Sequence, residues 1–147
     1  MARVPLMAAY ADTSILTVSQ LGDLVRNGLR TLFGDSLWVE GQVSNLHTAH
    51  SGHVYFDLVE PSDEPGKAPV AIFNVALWRG TKTEVERTLA GAGSLTLADD
   101  LLIRMQTRLE FYAPRGRLQL IMEGIDPEFT LGRLAIERER LLRTLAE

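Results

Sequence analysis

Residues 101 to 112 read LLIRMQTRLEFY. Leu101, Ile103, Met105, Thr107, Leu109 and Phe111 alternate with Leu102, Arg104, Gln106, Arg108, Glu110 and Tyr112. Successive side chains of a strand point to opposite faces, so an alternation this sustained predicts a strand with one buried face. The turn Ala113-Pro114-Arg115-Gly116 follows, and residues 117 to 125 give a further strand.

Working back from this hairpin, the period stays near two. VAIFNVALW at 70–78 predicts a strand, and the acidic, proline-rich stretch PSDEPGKAP at 61–69 predicts a long exposed loop before it. His53 to Glu60 is an earlier strand, with Val54, Phe56 and Leu58 on one face and His53, Tyr55 and Asp57 on the other. Leu37 to Leu46 is the first, interrupted by Gly41, which predicts a bulge or sharp bend. Ser51-Gly52 joins the first two. Between the third and fourth strands, Thr81 to Leu89 predicts one or two helical turns with Val85 and Leu89 inward, ended by Gly91-Ala92-Gly93.

Helices flank the strands. Thr17-Val18-Ser19-Gln20 has the form of a capping box, and Leu21, Leu24, Val25, Gly28, Leu29, Leu32 and Phe33 then recur every three or four residues, predicting a helix over 18–33 that Gly34-Asp35 stops. Gly22 and Gly28 each weaken it by roughly 1 kcal/mol relative to alanine, so it is expected to depend on packing. Leu131 to Glu147 predicts a second helix, with Leu134, Leu141, Leu142 and Leu145 apolar and no stop signal before the last residue.

Composition narrows the classes. A chain of 147 residues suits one domain. It has no cysteine, which excludes disulfide staples, thiol nucleophiles and iron–sulfur ligation and suggests a reducing compartment. No window approaches the roughly 20 apolar residues of a membrane span, and MARVPLMAAYADTS is too short before Ala9-Tyr10-Ala11 for a signal peptide. Residues 1–16 are read as a flexible N-terminus, the chain as cytoplasmic, without a membrane partner. The formal charge of −4 argues against a surface basic all round. Yet Arg79, Lys82, Arg104, Arg108, Arg115 and Arg117 gather in the central and C-terminal strands, leaving a local basic face.

Five strands, a helical insert and a glycine-bent first strand predict a mainly β fold with flanking helices: a five-stranded Greek-key barrel of the OB type, with an N-terminal and a C-terminal helix. An SH3-like barrel or an open sheet with flanking helices is the alternative. In an OB barrel oligonucleotides lie across strands 2 and 3, between the 1–2 and 4–5 loops. Here those loops are LHTAHSG and APRGR.

That placement bears on the histidines, His47, His50 and His53. A metal site needs three ligands converging from a rigid scaffold, whereas these straddle a turn between two strands. A nucleophilic reading needs a serine activated by histidine; Ser51 neighbours His50 and His53 but lacks a nucleophile-elbow pattern. The remaining reading is of polar loop residues that bond phosphates, bases or their own backbone. Tyr55, opposite Val54 and Phe56, is expected on the outer surface as a stacking platform. Trp78 could stack or pack, because both faces of its strand are apolar. Trp38 and Phe73 are expected in the core. Arg115 and Arg117 have no acid beside them in the turn, while Glu110 is placed to neutralise Arg108.

Five segments, TVSQL at 17–21, LWVEGQVSN at 37–45, SGHVYFDL at 51–58, LWRG at 77–80 and YAPRGRLQLIMEGIDP at 112–127, resemble the N-terminal domain of the exodeoxyribonuclease VII large subunit, over about residues 17–135. Gln42, the length of PSDEPGKAP and IRMQTRLEF depart from that family's pattern. The resemblance implies an OB-fold domain that binds single-stranded DNA and delivers it to a nuclease region further along the polypeptide, in an enzyme of DNA catabolism and repair that also contains a small subunit. It implies DNA contacts at His50, Ser51, His53, Tyr55, Arg79, Arg115 and Arg117, to which the residue reading adds Trp78 and Arg108. The expected organisation is a flexible 1–16, an OB-fold domain over 17–130 and, at 131–147, the start of a helix toward a catalytic region. No catalytic residue, metal or cofactor is expected in this chain by itself. A stand-alone single-stranded DNA- or RNA-binding protein without a nuclease partner, a protein-interaction module and a histidine-dependent hydrolase are the competing readings.

Overall fold

The computed structural model describes residues 15–146. Residues 1–14 of the expected flexible N-terminus and Glu147 lie outside them. The elements are α1 (Val18–Phe33), β1 (Leu37–Thr48), β2 (Val54–Glu60), β3 (Ala71–Leu77), α2 (Arg79–Gly93), β4 (Leu102–Tyr112), β5 (Arg117–Ile125) and α3 (Pro127–Ala146), with a 3-10 turn at Ala113–Arg115. The strands close a barrel in the order β1-β2-β3-β5-β4. Four of the contacts are antiparallel and β3–β5 is parallel, through Val75 opposite Leu120 and Ala76 opposite Ile121. Each strand pairs on both sides over part of its length, and the order and helical insert are those of an OB barrel.

β1 serves two neighbours. Leu37–Gln42 pairs with β4 and Gln42–Thr48 with β2. Gly41 stands where the partner changes, and a Cβ there would come within 2.7 Å of Leu58 Cγ. The glycine therefore permits close approach across the bend. The register break itself lies further on, between Ser44 and His47, around Asn45 at φ 54°.

The inward row of β4 is as expected: Ile103, Met105 and Thr107 are buried, and the Thr107 hydroxyl donates to the Ile121 carbonyl at 2.8 Å. They join Val43, Val54, Phe56, Leu58, Val75, Leu77, Leu120 and Met122, with Val85 and Leu89 from α2 completing the core. α2 is longer than its local sequence predicts. Burial of Val85 and Leu89 outweighs the helix-weakening glycines at 91 and 93, and the helix ends only at Ser94, in the left-handed region. Trp38 and Phe73 are not in the core: they are 56% and 41% exposed. Trp38 takes the outward position between Leu37 and Val39, and Phe73 lies on the part of β3 that precedes its pairing with β5.

The helices dock at specific points. Thr17 caps α1 reciprocally with Gln20, the Gln20 amide donating to the Thr17 hydroxyl at 3.2 Å and the Thr17 amide to the Gln20 side chain at 2.9 Å. Buried Gly22 lies against Ala113 and Phe111, so α1 does lean on the barrel. α3 begins four residues before the expected start. Pro127 takes its first position and the Asp126 carboxylate accepts from the Glu128 amide at 3.1 Å, a proline and cap placement that suits a helix start. Arg104 on β4 ties that start to β1: it donates to Glu40 at 2.6 and 2.8 Å and to Asp126 at 3.3 Å, and lies 4.5 Å from the Phe129 ring. The bond to Glu40 holds the guanidinium above its usual range. Among the described residues no helix is long and apolar enough to cross a membrane.

Candidate nucleic-acid interface

The outer face of β2 is set by its alternation. Because Val54, Phe56 and Leu58 fill the barrel, Tyr55 and Asp57 must face outward. Register puts His47 of β1 opposite Tyr55, and the two rings stack with centroids 5.8 Å apart. On the β3 side the Trp78 indole meets Tyr55 edge-on at 6.2 Å, and His53 meets Trp78 edge-on at 5.0 Å. The four rings form one row: His47, Tyr55, Trp78, His53. The direction of Trp78, ambiguous in the sequence, is resolved toward this row.

The β1–β2 connection is shorter than the sequence suggests. His47 and Thr48 belong to β1, and the turn is closed by the Ala49 amide on the His53 carbonyl at 2.8 Å and the Gly52 amide on the Ala49 carbonyl at 2.9 Å. The side chain of Arg79 folds over this turn. Its guanidinium donates to the Ser51 carbonyl at 3.4 Å, and its Cδ would lie 2.8 Å from a Cβ at Gly52, whose φ is 91°. His53 Nδ1 accepts the Arg79 backbone amide at 2.9 Å. His47 Nδ1 contacts the Asn45 carbonyl at 3.1 Å, so His47 and His53 are held to different backbone groups. His50 and Ser51 stand exposed at the tip.

Arg117, the first residue of β5, lines a groove of about 320 Å³ together with Asn45, His47, Tyr55, Phe56, Asp57, Asn74, Val75 and Gln119. The barrel thus carries a residue of the β4–β5 turn into the same concavity as the rings of β1 and β2. Arg115 is exposed on the 3-10 turn beyond the groove lining. Among the described residues neither arginine takes part in an ion pair. Arg108 differs. It is held between Glu123 at 3.1 Å and Glu110 at 3.4 Å, and lines a separate hollow under α1 with Arg26, Arg30 and Tyr112. The neutralisation by Glu110 is present, and the structure does not bring Arg108 to the row of rings.

Asp57 lies on the floor of the groove between two asparagines. Asn45 Nδ2 donates to one Asp57 carboxylate oxygen at 3.1 Å and Asn74 Nδ2 to the other at 2.7 Å. Asn45 reaches Asp57 from the bulge in β1, where its positive φ re-aims the side chain, and the Leu46 amide pins that bulge on Asp99 at 2.8 Å. The alternation of β2 already assigns Asp57 to the Tyr55 face. Asn45 and Asn74 have no such signal, because a bulge and a cross-strand register decide where they point.

The model of the OB-fold nucleic acid binding domain family matches residues 16–126. Curated relatives named "Exodeoxyribonuclease 7 large subunit" include that of Geotalea uraniireducens, 33% identical over 96% of this chain and 28% of the relative. The protein of that name from Azotobacter vinelandii is 34% identical over 97% of this chain and 27% of the relative. The chain therefore spans little more than a quarter of these relatives. Among solved structures, a small single-stranded DNA binding protein from Mycoplasma pneumoniae superposes with a TM-score of 0.43 at 10% identity, covering 63% of this chain and 91% of that one.

Proposed function

We propose that this chain, which belongs to the OB-fold nucleic acid binding domain family, binds single-stranded DNA along the groove over β2. One observation carries the reading: the stacked His47 and Tyr55 rings line the same concavity as Arg117, which takes part in no ion pair among the described residues. Single strands offer unpaired base faces, and a base stacked on an aromatic side chain is stabilised by about 1–3 kcal/mol whatever its identity. Duplex DNA hides those faces. Arg117 at one rim and Arg115 beyond it supply positive charge for phosphates, a contact that positions the strand without reading its sequence. His50 and Ser51 at the tip of the β1–β2 turn bound the other rim, with Arg79 holding that turn in shape. Arg108, engaged by two carboxylates, has no direct role in this account.

The relatives' name adds the context. The chain acts as the DNA-holding domain of an exodeoxyribonuclease large subunit in the cytoplasm, with α3 (Pro127–Ala146) leading toward a nuclease region that works with a small subunit. By itself it binds and does not cleave. Binding of a labelled single-stranded oligonucleotide, set against the same oligonucleotide in duplex form, tests the core of this reading. Preference for the single strand is expected, and equal affinity for both would refute it. A protein-docking module would bind neither.

A further inference from the structure

We infer that Asp57, Asn45 and Asn74 form a base-reading pocket on the groove floor that selects guanine at one position of the bound strand. This rests on the reading of the groove as a single-strand site and adds a sequence preference to it. The three residues sit side by side on β1, β2 and β3, with Asp57 opposite Asn74 in the register. Tyr55 is two residues from Asp57 on the same face, about 7 Å along the strand, so a base stacked on Tyr55 leaves its neighbour over the carboxylate.

The hydrogen bonds fix what the pocket offers. Each Asp57 oxygen accepts one amide N–H, from Asn45 at 3.1 Å or from Asn74 at 2.7 Å. A carboxylate has about four acceptor positions and an amide nitrogen two protons. One acceptor direction on each oxygen and one proton on each amide therefore remain. Because a carboxylate cannot donate, both amides must turn their NH2 groups to it, which settles their orientation. The pocket presents two adjacent acceptors flanked by two donors. Guanine's pairing edge is the complement: N1–H and N2–H donate side by side, and O6 accepts next to them. Thymine sets a single N–H between two carbonyls, one of which would face the carboxylate. Cytosine and adenine each offer one amino group beside an acceptor nitrogen. An anion here also repels phosphate, which keeps the backbone toward the rim and turns the bases inward.

The test uses the 147-residue chain and three oligonucleotides: a thymidine tract, the same tract with one central guanine, and the tract with hypoxanthine there, which lacks the N2 amino group. The guanine-bearing strand is expected to bind about fivefold or more tighter than the thymidine tract, with hypoxanthine between. Asp57→Asn is expected to abolish the difference between the guanine-bearing strand and the thymidine tract. Equal binding of all three strands by the wild type, a comparison that needs no variant, would overturn the pocket and leave the single-strand reading standing. So would a guanine preference that survives in Asp57→Asn. Failure of every strand to bind would overturn the single-strand reading, and the pocket with it.

Discussion

The imidazole of His53 caps α2 from outside the helix: its Nδ1 accepts the Arg79 backbone amide at 2.9 Å. Trp78, at the cap position, makes no side-chain cap bond itself. A helix start has amides without internal partners, and a residue 26 positions earlier supplies one acceptor. This bond joins the β1–β2 turn to the helix that completes the core, and it holds Trp78 beside the groove.

His53→Ala should therefore lower stability by about 1 kcal/mol, the usual cost of a lost cap. Urea denaturation is the readout. His50→Ala, at the exposed tip, should leave the midpoint unchanged. If both variants melt as the wild type does, the cap has no energetic weight.

Gly52→Ala should destabilise by about 1–2 kcal/mol because an L-residue at positive φ is strained. The added Cβ, 2.8 Å from Arg79 Cδ, must also displace the guanidinium from the turn. Oligonucleotide affinity should fall along with stability. A neutral result in both assays would show that the turn is not held in the way described.

Tyr55→Ala should weaken single-strand binding by about 1–3 kcal/mol, whereas Tyr55→Phe, which keeps the ring, should bind nearly as the wild type does. Titration of a short oligonucleotide separates the two. Equal losses would mean that the hydroxyl, and not stacking, matters.

Breaking the clasp should loosen the start of α3. Arg104→Met removes the bonds to Glu40 and Asp126 and is expected to speed hydrogen exchange in the first turns of α3, with oligonucleotide affinity unchanged. Exchange measured by mass spectrometry at the Pro127–Leu131 segment checks this. Protection equal to the wild type would deny the clasp its anchoring role.

The barrel is legible in the sequence because it is built from alternation. Val54, Phe56 and Leu58 are the inward row of β2, and the family pattern spans residues 16–126. The capping box at Thr17 and the turn at Gly116 are local chemistry and read equally well. Sequence reading fails where distant contacts decide. α2 persists through Gly91 and Gly93 because the barrel buries Val85 and Leu89. Trp38 and Phe73 look like core by type and are exposed by position. At the groove, Tyr55 and Asp57 follow from period two, but Asn45 reaches Asp57 only through a bulge and Asn74 only through register. Charge by itself does not tell Arg117, which lines the groove, from Arg108, which two glutamates hold elsewhere.

The most direct test of a shared groove is the anisotropy of a labelled single-stranded oligonucleotide across a salt series, for the wild type, Arg117→Glu, Arg115→Glu and the double variant. Each neutralised phosphate contributes about 0.7 to the slope of log affinity against log salt for a single strand. The account predicts weaker binding and a shallower slope in the double variant, with Arg117→Glu responsible for more of the loss than Arg115→Glu. A double variant that binds as tightly as the wild type, with the same slope, would contradict it.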